Sequence, residues 1–193
     1  VGARIEFTVQ FNGIVTVTGV PTLSLNNGAT ASYIGGSGTD TLTFRYNVQP
    51  GDSSVDLGYT SINSLSLGGG TIKGLGNVDA TLTLPPEATF TGSHAIVIDT
   101  TKPTAYVSVS NERFIGLTFS EDIVSVEYRD HNTMDTPVFG FDASTNARYA
   151  TISLSTTDPS VDQFIDFRIT DIAGNTKSYE LTWNGQLWDV TAL

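Results

Sequence analysis

Apolar and polar residues alternate with a period of two along most of the chain, and nowhere does the 3.6-residue period of a helix persist. The clearest run is Ile5-Glu6-Phe7-Thr8-Val9-Gln10-Phe11, which predicts a strand buried on one face. Residues 14–17, 23–25, 42–48 and 82–84 follow the same rule. Turn formers separate them: Gly19-Val20-Pro21, Asn26-Asn27-Gly28, Gly35-Gly36-Ser37-Gly38, Pro50-Gly51-Asp52 and Gly68-Gly69-Gly70. Later strands are expected at 104–110, 114–119, 124–128, 149–154, 164–169 and 178–183. Residues 129–146 have no clear period and read as a loop with room for one short strand at 138–141. Short strands at this spacing predict an all-β sandwich with Greek-key connections and almost no helix.

A boundary is expected at Asp99-Thr100-Thr101-Lys102-Pro103, where Pro103 fixes its own φ and biases Lys102 to extended geometry. The sequence therefore divides into a first domain at 1–98, a linker at 99–103 and a second domain at 104–193. Two modules of just under 100 residues match the size of immunoglobulin-like sandwiches. Composition changes across the boundary: residues 1–98 hold 15 of the 19 glycines, and residues 99–193 hold the other 4. Two internal echoes suggest a tandem array. Phe11-Asn12-Gly13-Ile14-Val15-Thr16-Val17 resembles Phe119-Ser120-Glu121-Asp122-Ile123-Val124-Ser125-Val126 with one residue inserted, and Asp99-Thr100-Thr101 resembles Asp189-Val190-Thr191. The chain also opens on Gly2 followed at once by a strand, so the first strand of the first domain is expected to lie outside it.

Charge and residue usage narrow the function classes. The net charge of −11 argues against a nucleic-acid or anionic-membrane partner, since both need a positive surface. With no cysteine, a disulfide scaffold and any Cys-ligated zinc or iron–sulfur site are excluded. No apolar run approaches the ~18 residues of a membrane-spanning helix. Heavy use of Thr (28) and Ser (18) favours strands over helices.

Several sequence blocks resemble a bacterial Ig-like repeat: residues 5–11, Val17-Thr18-Gly19-Val20-Pro21-Thr22-Leu23-Ser24-Leu25, Ala31-Ser32-Tyr33, Gly36-Ser37-Gly38-Thr39, residues 42–46, Gly51-Asp52, Gly69-Gly70-Thr71-Ile72-Lys73, Gly76-Asn77 and residues 98–103. Such repeats occur in tandem in very large bacterial surface proteins, including calcium-dependent, type I-secreted adhesins. The match covers nearly all of residues 1–103. The second domain is similar to a different Ig-like subtype through Phe119-Ser120-Glu121 and Asp171-Ile172-Ala173-Gly174-Asn175. The first domain departs from the repeat where acids are common: it has Ala3 after the first Gly, Asn12-Gly13 after the strand-ending Phe, and Gly74-Leu75-Gly76-Asn77 for the Asp-x-x-Gly-Asn turn. The resemblance implies an extracellular, cell-surface spacer or adhesive module. It implies no enzymatic activity; neighbouring repeats and a host-surface protein or glycan are the expected partners of a monomeric chain.

Strand counting supplies the candidate chemistry. In a seven-strand sandwich the first strand and the loops after strands two, four and six share one pole. At that pole of the second domain Asp99, Glu121, Asp122, Asp171 and Asn175 are expected to converge, with Asp52 reaching the same junction from the first domain. Hard oxygens in that number suit Ca²⁺, which takes 6–8. The alternative is that these residues are solvated turn formers, with Gly174 supplying a positive φ. Asp130, Asp135 and Asp142 lie in the loop without period and read as charged surface. His94 and His131 have neither a metal-spacing partner nor a nucleophile motif and read as exposed. A carbohydrate-binding accessory module of a secreted enzyme is the rival function, with Trp183, Trp188, Phe139 and Phe141 as candidate sugar platforms. Alternating aromatics in a sandwich are otherwise core, and Trp183 is expected there. Trp188, beyond the last expected strand, would cap the second domain or face a further one.

Overall fold

The computed structural model describes residues 1–86, 95–110, 114–130, 147–153, 164–183 and 186–193. Strands dominate, and the described residues contain no α-helix, only a 3-10 turn at Leu75–Asn77. The chain divides into two compact units, Val1–Thr100 and Thr101–Leu193.

The first unit holds β1 (Arg4–Thr18), β2 (Thr22–Ser24), β3 (Thr30–Gly35), β4 (Thr39–Asn47), β5 (Ser53–Ser54), β6 (Leu65–Ser66), β7 (Thr71–Lys73) and β8 (Ile98–Asp99). Its main sheet runs β6-β2-β3-β4-β1-β7, and β5 pairs separately with β8. The alternation works as expected in β4, where Leu42, Phe44 and Tyr46 are buried and the residues between them are not. Tyr33 meets Phe44 edge to face, at 6.0 Å between ring centroids. The turn from β3 to β4 depends on Gly36, whose φ is +106°; a Cβ there would lie 2.1 Å from the Thr41 carbonyl oxygen.

Residues 5–11 and 14–17, expected as two strands, are one strand. β1 pairs with β4 in steady register from Arg4↔Asn47 to Gln10↔Thr41, and the next pair is Val15↔Thr39. Five steps along β1 are thus set against two along β4. Past this break β1 changes partner and pairs with β7 through Thr16↔Lys73. Residues 82–84 show the expected alternation, with Leu84 buried, but they join no strand ladder.

The second unit comprises β9 (Ala105–Ser110), β10 (Phe114–Asp130), β11 (Ala147–Ser153), β12 (Phe164–Asp171), β13 (Thr176–Trp183) and β14 (Trp188–Ala192). Here too, two expected strands, 114–119 and 124–128, are one. β10 pairs with β11 down to Thr118↔Tyr149, and the next pair is Ile123↔Ala147, again five steps against two. It then pairs with β12 from Ile123↔Asp171 onward. Ser120-Glu121-Asp122, expected as a turn, therefore lies inside β10, in the gap of its ladder. A bulge follows at once, with Ile123↔Asp171 succeeded by Ser125↔Thr170. The extra residue reverses which side chains face inward. Ile123 and Val126 are both buried while Val124 between them is exposed.

One core joins Ile115, Leu117 and Phe119 of β10 to Ile165, Phe167 and Ile169 of β12 and Leu181 of β13. Phe167 stacks on Tyr179 at 5.1 Å. The Tyr179 hydroxyl accepts from the Ala105 amide (3.1 Å) and donates to the Pro103 carbonyl (3.2 Å), which ties β13 to the start of β9. Trp188, expected to lie beyond the last strand, opens β14 and is buried, 5.5 Å from Trp183. Each unit is thus all-β, antiparallel and sandwich-like, with its own core.

Both tryptophans lie in the second unit, so their fluorescence reports its unfolding. Ile169→Ala is expected to remove about 2–5 kcal/mol from that transition, the range for emptying a fully packed aliphatic site. A urea titration followed by tryptophan emission measures it.

Candidate metal centre

Glu121 and Asp171 reach the same place by different routes. β10 carries Glu121 into the gap of its ladder, where the backbone is between partners. β12 ends at Asp171, the residue opposite Ile123 just past that gap. One carboxylate oxygen from each lies within 4.8 Å of the other.

A tight turn holds Asp171. Gly174, at φ +85°, donates its amide to the Asp171 carbonyl (3.1 Å), and the Asp171 amide donates to the Asn175 carbonyl (3.1 Å). The Asn175 amide then donates to Asp171 Oδ1 (2.8 Å), and its side-chain Nδ2 donates to Asp171 Oδ2 (2.9 Å). This Asx-type geometry explains the Asp-x-x-Gly-Asn pattern. Asp171 is only 1% exposed. Its bonds are to the Asn175 amides, with no Lys or Arg paired to it among the described residues. Burying a carboxylate without a cation is costly. Glu121 brings a second carboxylate close to it. A divalent cation balances both charges, and the donor set of carboxylate oxygens beside an Asn side chain suits a hard ion.

The other predicted ligands have partners of their own. Asp122, next to Glu121 on an extended backbone, pairs with Arg148 (Nε to Oδ1, 3.1 Å). Arg148 also donates to the Ser120 carbonyl (3.1 Å), so the guanidinium spans the gap in the ladder. Asp52 closes a turn in the first unit. Its Oδ2 accepts from the Tyr46 hydroxyl and from the Gln49 amide (2.6 Å). Gly51 donates to Thr100 Oγ1, which in turn donates to the Asp52 carbonyl, both at 2.9 Å. The Tyr46 hydrogen bond, followed by that of Gln49, holds the Asp52 carboxyl below its ordinary pKa. Burial, and then the bond to Asp52, pushes the Tyr46 phenol up. Asp99 lies on β8, half-buried and opposite Ser53.

His94, His131, Asp135, Asp142, Phe139, Phe141 and the short strand at 138–141 lie outside the described residues, as does the Asp130 side chain. Two residues not singled out from the sequence stand out in the fold. Tyr106 on β9 and Tyr149 on β11 lie directly across from Thr118, one on each side, and are 58% and 72% exposed. Period two already places Tyr106 outward between Ala105 and Val107, but only the ladder shows that Tyr149 joins it.

No protein-family model and no curated protein sequence matches this chain. Among the described residues, no helix is long and apolar enough to cross a membrane.

Asp52 makes a signed prediction. A carboxyl whose folded pKa lies below its unfolded value of ~3.9 stabilises the fold above that pH, and this contribution is lost as pH falls through the folded pKa. Asp52→Asn should therefore lower the urea midpoint of the first unit at pH 7. The gap to the parent protein should shrink as pH drops from 4 towards 2. Circular dichroism at both ends of that range measures it, and a gap independent of pH would exclude a role for the Asp52 charge.

Proposed function

We propose that the chain is a non-enzymatic extracellular module of a large bacterial surface adhesin. In this reading two tandem immunoglobulin-like sandwiches act as an extender or adhesive repeat, with Ca²⁺ stiffening their junction. The observation that carries the repeat reading is the plan common to both units. In each, a long strand runs five residues against two of its neighbour and then changes partner. The resemblance of residues 1–103 to bacterial Ig-like repeats supports the same reading. The Thr/Ser-rich surface and net charge of −11 suit a soluble, self-repelling array.

For calcium, the support is the buried Asp171 beside Glu121. Asp99 and Asn175, singled out from the sequence, complete the proposed ligand set. Asp122, which pairs with Arg148, and Asp52, which closes a turn with Tyr46 and Gln49, are the further candidate ligands. Extracellular Ca²⁺ modules bind at roughly 10⁻⁴–10⁻³ M. At ten times Kd such a site adds about 1.4 kcal/mol, or on the order of 5–10 °C for a unit of ~100 residues. Calorimetry in millimolar CaCl₂ and in EDTA should show this shift, and Glu121→Gln or Asp171→Asn should abolish it. A melting temperature indifferent to Ca²⁺ in the parent protein rules the site out.

A second reading, a carbohydrate-binding accessory module, draws on Tyr106 and Tyr149. Two strand spacings set them about 10 Å apart across Thr118, and exposed rings at such a spacing suit stacking on alternate units of an extended sugar chain. Affinity electrophoresis on common polysaccharides tests it. Retardation lost in Tyr106→Ala and Tyr149→Ala supports this reading, and no retardation on any polysaccharide removes it.

A further inference from the structure

The two units differ at one point of their common plan. In β10, Leu117 pairs with Ala150 of β11 and with Val107 of β9, so β9 and β11 occupy opposite edges. Ile123 pairs with both Ala147 of β11 and Asp171 of β12, so β12 lies on the same edge as β9. That edge is therefore covered first by β9 and, past the gap, by β12. In β1, β4 takes the role of β11 along one edge, and β7 takes the role of β12 on the other. Aligning the two breaks sets Gln10 against Thr118 and Val15 against Ile123, so residues 7–11 correspond to residues 115–119. Among the described residues, no strand covers residues 7–11 as β9 covers their counterparts.

A groove occupies that position. It has a volume of about 390 Å³ and is lined by residues 7–11, residues 81–85, Leu23, Tyr59 and Leu65. A second hollow of about 400 Å³ continues it along β1 through residues 10–15. The first lies within the ~300–1,000 Å³ range of ligand sites. An open strand edge carries a row of unpaired backbone N–H and C=O groups, which readily template another strand. Combined with a lining that includes Leu23, Leu65 and Leu84, it satisfies both requirements of strand addition: main-chain hydrogen bonds for affinity and alternating side chains for specificity.

We propose that the edge of β1 left uncovered by the described residues is a strand-acceptor site. Its partner is an extended peptide segment that lies antiparallel to residues 7–11, as β9 lies on β10. The inserted strand is about six residues long. Its groove-facing side chains are apolar and uncharged, because Leu23, Leu65 and Leu84 offer a charge no partner. β9 shows the pattern required: Ala105 is buried, Val107 is half-buried, and Tyr106 between them faces out.

The test uses a fluorescein-labelled synthetic peptide of residues 103–110, titrated into the intact protein and followed by anisotropy, with hydrogen exchange to locate it. Saturable one-to-one binding that slows exchange at residues 7–11 is expected. The same peptide with Val107→Pro should bind about tenfold more weakly or not at all, since proline cannot donate to a ladder. Val9→Lys in the protein should also abolish binding. Its melting temperature is read alongside, and the two peptides keep the test decisive if that variant unfolds. Four results would overturn the proposal: no binding at millimolar peptide, equal binding of the proline peptide, protection only at residues 115–119, or a peptide-free dimer whose residues 7–11 are already protected.

Discussion

Each unit depends on a strand too long to stay with one neighbour. A strand can keep its buried face only while its residues step evenly against its partner's, because a one-residue slip turns every side chain over. β1 and β10 meet this constraint in the same way. Each advances five residues while its neighbour advances two, and emerges with an apolar side chain, Val15 or Ile123, back in the core. The strand is then free to pair with β7 or β12. One continuous segment thereby supplies core residues on both sides of the change, and the remaining strands take their places from it.

The gap in the ladder also explains why an acid can sit within a strand. Residues in the gap have no ladder partner to crowd them, so Glu121 and Asp122 occupy positions where an apolar residue would gain little. Extended geometry turns the two apart: Asp122 meets Arg148, and Glu121 approaches Asp171. The first unit has the same gap but fills it with Asn12-Gly13, so no carboxylate is delivered there. Asp52 and Asp171 make a further contrast between two turn-closing carboxylates. Asp52 accepts from a phenol as well as an amide and remains partly exposed, so its charge is stabilised where it stands. Asp171 accepts from the amides of Asn175 and is buried close to a second acid.

Much of this was legible from the chain itself. Period two located the strands because which face a residue takes is decided by its immediate neighbours along the backbone. The Asp171-Ile172-Ala173-Gly174-Asn175 turn was equally plain, since its hydrogen bonds close within five residues and Gly174 supplies the one conformation other residues resist. The Phe11 and Phe119 segments were visibly alike, but as sequence they read as strand, turn, strand. A turn and a gap in a ladder use the same polar residues, and only the pairing on either side separates them.

Composition and alternation alone therefore determined an all-β chain and located its longer strands, but they missed β3, β7 and β14 and placed a strand at 82–84, where none forms. Tertiary structure decided which residues meet. Arg148 lies 26 residues from Asp122, Phe44 faces Phe7 across the β1–β4 ladder, and Tyr149 stands level with Tyr106 only because both pair with Thr118. Such pairings are set by the register of strands distant in sequence, which the packing of a whole core selects together. No local pattern encodes that choice. For this reason the sequence could suggest an acidic pole but not show that Glu121 turns towards Asp171 while its neighbour is held by an arginine.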